Sequence, residues 1–435
     1  MGRTEAAEHS FAACPLPVGP GPSGTGPGAG ARAVDADVVG AVLRTARAVL
    51  AERVAQAAEI DASFSGDLAG RVAGFTLEGG KRMRPRLLWW GMRACGAADS
   101  VSTAAALRLG VALELIQTCA LIHDDVMDRS RLRRGRPAVH IGLAGRAGLS
   151  PDSERGSAFG TSAAVLAGDL ALVWADDTVA ETALPAPVRR RVGALWRAMR
   201  TEMVAGQYLD LHGQATGGSS AVRAIRTACL KSALYSVERP LAIGAALAGA
   251  DERTTAALCS AGRSAGIAFQ LRDDLLGVFG DPARTGKPSG DDIREGKPTY
   301  LLAVARTRAE AAGDEGALAV LGRAVGNPDL TEGDLAAVRG VLEATGAHAH
   351  VERKAERLRD DAVRRLGEAV DVEAHGGRQL LGLLRTVSGD RSGRAADAGT
   401  SDADTGTDTT HGTRGHDGRT ADARVLTATE GGSTR

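Results

Sequence analysis

The chain has 435 residues, 43% of them hydrophobic and 24% charged, the make-up of a soluble globular protein with length enough for a large core. Lys plus Arg and Asp plus Glu both number 53, so the formal net charge is zero. That balance argues against a nucleic-acid partner and against an acidic solvating chain, and leaves any charge that matters local.

Residues 1–33 are rich in Gly and Pro, with Pro15, Pro17, Pro20, Pro22 and Pro27 and no secretory-type apolar run, and read as a disordered leader. Helical spacing follows. Val38, Val39, Val42, Leu43, Ala46, Val49 and Leu50 recur at three and four residues, as do Leu107, Val111, Ile116 and Leu121, and later Leu230, Leu234, Val237, Leu241 and Ala245. Strand-type alternation with Asn-Gly or Asp-Gly turns is missing from this region, and aromatics make up only 3% of the chain. The expectation is an all-α protein, one large helical bundle over residues 34–387, interrupted by a polar, Gly-rich surface loop near 142–161. Residues 388–435 read as a disordered polar tail. No run approaches the roughly 20 unbroken apolar residues of a membrane span. Cys14, Cys95, Cys119, Cys229 and Cys259 form no C-x-x-C pair, which predicts reduced thiols in a cytoplasmic protein.

Two acidic segments interrupt the apolar pattern. The first is Leu121-Ile122-His123-Asp124-Asp125-Val126-Met127-Asp128, in which Asp124 and Asp128 share one helix face. Like charges so placed in an apolar setting are costly, and a divalent cation removes the cost. Mg²⁺ suits such a site, taking one or two carboxylates and completing its octahedron with water and phosphate oxygens. The second is Phe269-Gln270-Leu271-Arg272-Asp273-Asp274-Leu275-Leu276-Gly277. Either alone is as well explained by solvated surface charge; two together, both flanked by Leu, Ile and Val, point to metal.

Phosphate recognition needs cations as well. Gly79-Gly80-Lys81-Arg82-Met83-Arg84-Pro85 offers flexible backbone followed by three of them, and Arg131-Leu132-Arg133-Arg134-Gly135-Arg136-Pro137 follows the first aspartates. Lys231, Lys287 and Lys297 lie near the later motifs. There is no G-x-x-x-x-G-K-[ST] and no G-x-G-x-x-G after a strand, so a nucleotide loop is excluded.

In this order, the elements resemble the trans-isoprenyl diphosphate synthase (polyprenyl synthetase) family, and most of all its geranylgeranyl diphosphate synthases. The resemblance runs from Gly79–Pro85 through Asp124–Asp128, Arg133-Arg134-Gly135, Ala167-Gly168-Asp169, Gly206-Gln207-x-x-Asp210 and Lys231-Ser232 to Asp273, Thr285-Gly286-Lys287, Asp292-Ile293 and Lys297. It implies a helical bundle with a central cavity, a homodimer, and condensation of isopentenyl diphosphate with an allylic diphosphate. By that resemblance Asp124, Asp128 and Asp273 bind Mg²⁺, three ions in all, while Arg133, Lys231 and Lys287 hold the allylic diphosphate. Asp125, Gln270 and Asp274 complete the catalytic set. Lys81, Arg84, Arg134 and Gln117 hold isopentenyl diphosphate; Gln207, Ser232, Asp292 and Lys297 support the substrates.

One position departs from the family: the second motif usually ends in a fifth-position aspartate, and here that position is Gly277. Asp281 is a candidate replacement. In the family, bulky residues four and five places before the first aspartate stop chain growth. Here they are Ala120 and Cys119, which favours a product longer than fifteen carbons, geranylgeranyl diphosphate being the expectation. Leu113, Ile116 or Trp174 would then form the floor. Synthesis of farnesyl or of longer chains is an alternative. A class I terpene cyclase is another, disfavoured by Asp273-Asp274, by Lys81 and Arg84, and by the shortage of aromatic rings. A noncatalytic regulatory subunit is a third, kept in view by Gly277.

Overall fold

The structure is a computed structural model and describes residues 28–216, 220–281 and 289–389. Helix α1 (Ala29–Ala36) begins a few residues before the expected start at Val34, and the rest of the leader and the tail beyond Gly389 lie outside the described residues. Asp37 caps α2 (Val38–Ile60), its carboxylate accepting from Gly40 N at 2.7 Å. Of the apolar stripe read for α2, Val38, Val42, Ala46, Val49 and Leu50 are buried.

A π-helical turn, Phe64–Ala69, leads into α3 (Gly70–Leu77), and α4 (Met83–Ala94) follows. Next comes α5 (Ser100–Met127), capped by Asp99. It forms the spine of the main apolar cluster: Leu109, Leu113, Leu115, Ile116 and Ile122 have almost no exposed surface. Its C-terminal end delivers Asp124, Asp125 and Asp128. The strands β1 (Leu132–Arg133) and β2 (Arg136–Pro137) pair antiparallel across Arg134 and Gly135, both at positive φ, as a two-residue hairpin requires.

The long loop expected near 142–161 is not there. α6 (Val139–Arg146) and α7 (Glu154–Ala180) occupy most of it, leaving a short turn that ends on the capping residue Ser153. Gly160 is a packing glycine: a Cβ there would fall 2.4 Å from His140 O, so α6 lies directly on α7. Composition alone reads such glycines as loop.

The chain continues through α8 (Ala186–Thr216), α9 (Ala221–Ala228), a ten-residue π-helical segment Cys229–Glu238, α10 (Arg239–Leu247) and α11 (Glu252–Phe279). The wide π segment fits because glycines face it from both sides. A Cβ on Gly206 of α8 would lie 2.6 Å from Lys231 N, and one on Gly266 of α11 would lie 2.5 Å from Ala233 Cα. Beyond α11 come α12 (Asp291–Arg294), α13 (Tyr300–Ala312), α14 (Glu315–Ala324), α15 (Glu332–Ala344), α16 (Ala347–Ala369) and α17 (His375–Val387). A second apolar cluster, with Leu271, Ile293, Leu301, Leu335, Leu342 and Val351, ties α12, α13, α15 and α16 to α11.

Among the described residues, α5 and α7 are long and apolar enough by composition to cross a membrane, although neither is an unbroken apolar run. The apolar window of α5 is 72% buried inside the protein, that of α7 only 39%. Phe159, Leu166 and Val173, seven residues apart along α7, remain exposed.

Candidate active site

Asp124 is the hub. Its Oδ1 accepts from Lys231 Nζ at 3.2 Å and from Gln207 Nε2 at 3.0 Å, and its Oδ2 faces Arg133 Nη2 at 3.5 Å. Lys231 comes from the π segment and is shared with Asp210 at 2.7 Å; Gln207 and Asp210 both come from α8. Burial pushes the Asp124 carboxyl up, but Lys231, Arg133 and the Gln207 hydrogen bond together hold it below its ordinary value. Asp125 is fully buried; Arg133, which also faces Asp124, donates through Nε to its Oδ1 at 2.8 Å, and its Oδ2 has no hydrogen-bond donor among the described residues. Burial raises its pKa against the pull of Arg133.

Asp128 closes α5. Burial and the neighbouring Asp124 charge push it up to about 6, with Lys297 opposing. Lys297 Nζ lies 3.7 Å from Asp128, 3.6 Å from Asp292 and 2.6 Å from Glu295. One amine therefore joins the first motif to the segment following the second.

On α11, Gln270 Nε2 donates to Asp274 Oδ1 at 2.9 Å, while its Oε1 accepts from Ser232 Oγ at 2.6 Å. Asp274 is buried, and that burial, with the charges of Asp292 and Asp273 adding to it, pushes the carboxyl up to about 7. Asp273 is exposed and so available to a ligand. Asp281 stands past the end of α11 at Phe279. The carboxylate that meets Gly277 is that of Asp292: a Cβ there would fall 2.7 Å from Asp292 Oδ2.

Further cations come from the segment entering α4 and from the β-hairpin. Arg84 Nη2 donates to Ser236 Oγ at 2.6 Å and its guanidinium lies 4.4 Å from the centroid of the Tyr235 ring. The Tyr235 hydroxyl donates to Gln117 Oε1 at 2.9 Å. Arg134 donates to Glu78 O and packs over Gly79 and Gly80, where any side chain would come within 3.3 Å of its guanidinium. Lys81 is exposed, with no partner among the described residues. Lys287 lies outside the described residues.

His123 belongs to the scaffold. Its Nε2 lies 3.2 Å from Val165 O and its Nδ1 lies 3.7 Å from Cys119 Sγ. A Cβ on Gly168 would fall 2.0 Å from that ring, so Gly168 is what lets α5 and α7 close together here. Cys119 is buried beside the histidine, and Ala120 is half-buried. Leu113 and Ile116 are buried on α5, Trp174 on α7. A shallow depression at Arg359, Asp360, Val363, Arg364 and Arg385 holds none of these residues, and Arg359 and Arg364 pair with neighbouring carboxylates.

Asp124, Asp128 and Asp273 offer oxygen donors only, the chemistry of a hard divalent cation. Burial and mutual repulsion raise the cost of ionising Asp128, and a nearby cation would relieve that cost. Mg²⁺ needs few protein ligands, because it keeps waters and takes phosphate oxygens from a substrate.

The chain matches the polyprenyl synthetase family over residues 69–332. It belongs to that family. Among its relatives, the geranylfarnesyl diphosphate synthase of Aeropyrum pernix is 32% identical over 313 residues, 70% of this chain and 88% of that one. The farnesyl diphosphate synthase of Geobacillus stearothermophilus is 38% identical over 243 residues, 53% of this chain and 74% of that one. Among solved structures, a geranylgeranyl pyrophosphate synthase from Corynebacterium glutamicum, complexed with isoprenyl diphosphate and magnesium, superposes with a TM-score of 0.73 at 38% identity. The match covers 80% of this chain and 99% of that one. The protein is a trans-prenyl diphosphate synthase, an enzyme of the helical isoprenyl synthase fold.

The sequence reading of this synthase missed Tyr235 and Ser236, which connect to Arg84, and Glu295, which holds Lys297. A signal for Tyr235 was present: it follows Lys231 by four residues, and the chain has only three tyrosines. Nothing local marked Glu295.

Proposed function

We propose that this synthase condenses isopentenyl diphosphate with an allylic diphosphate, head to tail and trans, and releases mainly geranylgeranyl diphosphate. The observation that carries the reading is the double grip on Asp124. Lys231 and Gln207 hold one carboxylate oxygen while Arg133 faces the other, and Arg84 and Gln117 meet separately at Tyr235. Two cation groups suit two diphosphates.

The allylic C–O bond breaks with its electron pair passing to the departing diphosphate, whose growing charge Arg133, Lys231 and Lys287 stabilise. Mg²⁺, three ions held by Asp124, Asp128 and Asp273, would supply further charge stabilisation on the same oxygens. Lys81, Arg84, Arg134 and Gln117 fix isopentenyl diphosphate so that its double bond attacks the allylic carbon. Holding both reactants by their diphosphates supplies much of the acceleration. A proton then leaves the new chain, with the released diphosphate as base. Ser232, Gln270 and Asp274 support the second motif, and Asp125 fixes Arg133.

The small residues Cys119 and Ala120 support growth past fifteen carbons. The relatives make products of several lengths, so length is to be measured. The domain 34–387 is the catalytic unit, working in the cytoplasm as a homodimer. The exposed apolar row Phe159, Leu166 and Val173 on α7 supports the pairing.

Labelled isopentenyl diphosphate, supplied with Mg²⁺ and separately with dimethylallyl, geranyl or farnesyl diphosphate, tests the reading. The expected product after dephosphorylation is a twenty-carbon alcohol, lost in Asp124→Ala. A protein that consumes an allylic diphosphate without incorporating label is a cyclase. One that is inert with every primer yet alters a partner synthase's product is a regulatory subunit.

A further inference from the structure

Arg82 stands between two residues assigned to isopentenyl diphosphate, yet its side chain runs into the protein. It is 5% exposed, ion-paired with Glu114 of α5, and its Nη2 donates to Leu77 O at 2.7 Å. Glu114 is buried as well. The Arg82 backbone is left-handed, φ 48° and ψ 40°, following Gly79 and Gly80, which also have positive φ. A non-glycine residue holds that conformation only where its surroundings impose it. Here a single guanidinium fork reaches the last turn of α3 and the middle of α5 at once, and both anchors are rigid.

The consequence falls on its neighbours. Lys81 is left exposed, and Arg84 enters the first turn of α4 against Tyr235 and Ser236. Glu114 also precedes Gln117 on the same helix by three residues, so the anchor and the site share one rigid element. A buried ion pair is a poor way to stabilise a fold, since apolar residues of similar volume often serve as well. Its geometry is a better account of its presence.

We propose that the Arg82–Glu114 ion pair is a positioning device for the isopentenyl diphosphate subsite, drawing Arg82 inward so that the left-handed turn presents Lys81 and Arg84 to one diphosphate. This rests on the assignment of Lys81, Arg84 and Arg134 to that substrate. Glu114 also offsets the repulsion that Arg82 exerts on Arg134.

The test is steady-state kinetics with each substrate varied in turn, alongside thermal melts of the full chain. Glu114→Gln, Arg82→Lys and the volume-matched double variant Arg82→Met with Glu114→Met are compared with Lys81→Ala. For Glu114→Gln and the double variant, KM for isopentenyl diphosphate is expected to rise about tenfold or more, with kcat and the allylic KM within about threefold. Arg82→Lys, which keeps the charge and loses the fork, falls between. An unchanged isopentenyl KM in a folded Glu114→Gln or double variant overturns the proposal, as does a loss spread equally over kcat and both KM values. Lys81→Ala separates the two levels. If it raises the isopentenyl KM and the Glu114 variants do not, the positioning role alone is wrong; if it too has no effect, the subsite assignment fails and the proposal with it.

Discussion

The carboxylate of Asp292 occupies the space that a side chain at Gly277 would need, 2.7 Å from the position of a Cβ there. Gly277 is where the family usually carries the last aspartate of its second motif, and Lys297 holds Asp292 from the other side at 3.6 Å. Restoring an aspartate at 277 would therefore crowd two carboxylates into one place. Gly277→Asp is expected to lower kcat/KM about tenfold and to raise the Mg²⁺ concentration for half-maximal activity. Adding Asp292→Gly to it should recover much of the loss. A gain of activity in Gly277→Asp alone would show that the Asp292 carboxylate does not obstruct a side chain at 277.

Stability without divalent metal should depend on pH through Asp274. Its pKa is about 7 in the folded protein against an ordinary 3.8, so between these values the folded state binds more protons than the unfolded one. Stability therefore falls as pH rises through that window, and Asp128 pulls the same way. Melts in chelator should give a higher Tm at pH 5 than at pH 8, and Asp274→Asn should flatten the difference. A Tm gap unaffected by Asp274→Asn would contradict this assignment.

The two small residues before Asp124 are not equivalent. Cys119 is buried against His123, so Cys119→Phe overpacks the α5–α7 contact and is expected to cost about 1–3 kcal/mol, read as a lower Tm. Ala120 is half-buried and has more room. Ala120→Phe should shorten the main product to farnesyl diphosphate with Tm nearly unchanged, which chromatography of the dephosphorylated alcohols would read. Unaltered products would place the stop elsewhere, with Leu113, Ile116 and Trp174 as the next positions to enlarge.

Pairing through α7 predicts that Leu166→Glu, which puts a charge in the middle of the exposed row, yields a monomer by light scattering with helical content retained. A variant that stays dimeric would move the interface off this face.

Local patterns carried the helical class and both aspartate motifs, because 3.6-residue periodicity and carboxylates within apolar runs can be read inside a single helix. The same local logic put Asp124 and Asp128 on one face, whereas Lys231 alone reads as a solubilising side chain and gained a role only from the resemblance. That logic failed at residues 142–161, where helix residues, among them Gly160 that seats α7 on α6, have the composition of a loop.

What each charge does was decided by the tertiary structure. Arg82 and Arg84 are two residues apart, yet one is spent on Glu114 and the other lies over Tyr235. Asp124 and Asp125 are adjacent and share Arg133, yet Asp124 also meets Lys231 and Gln207 while Asp125 is fully buried. Lys231, which bonds Asp124, lies 107 positions along the chain, and the residue that fills the space at Gly277 sits beyond the end of α11. An ionic group takes its character from whatever charge and burial surround it, and those surroundings exist only after distant helices have packed.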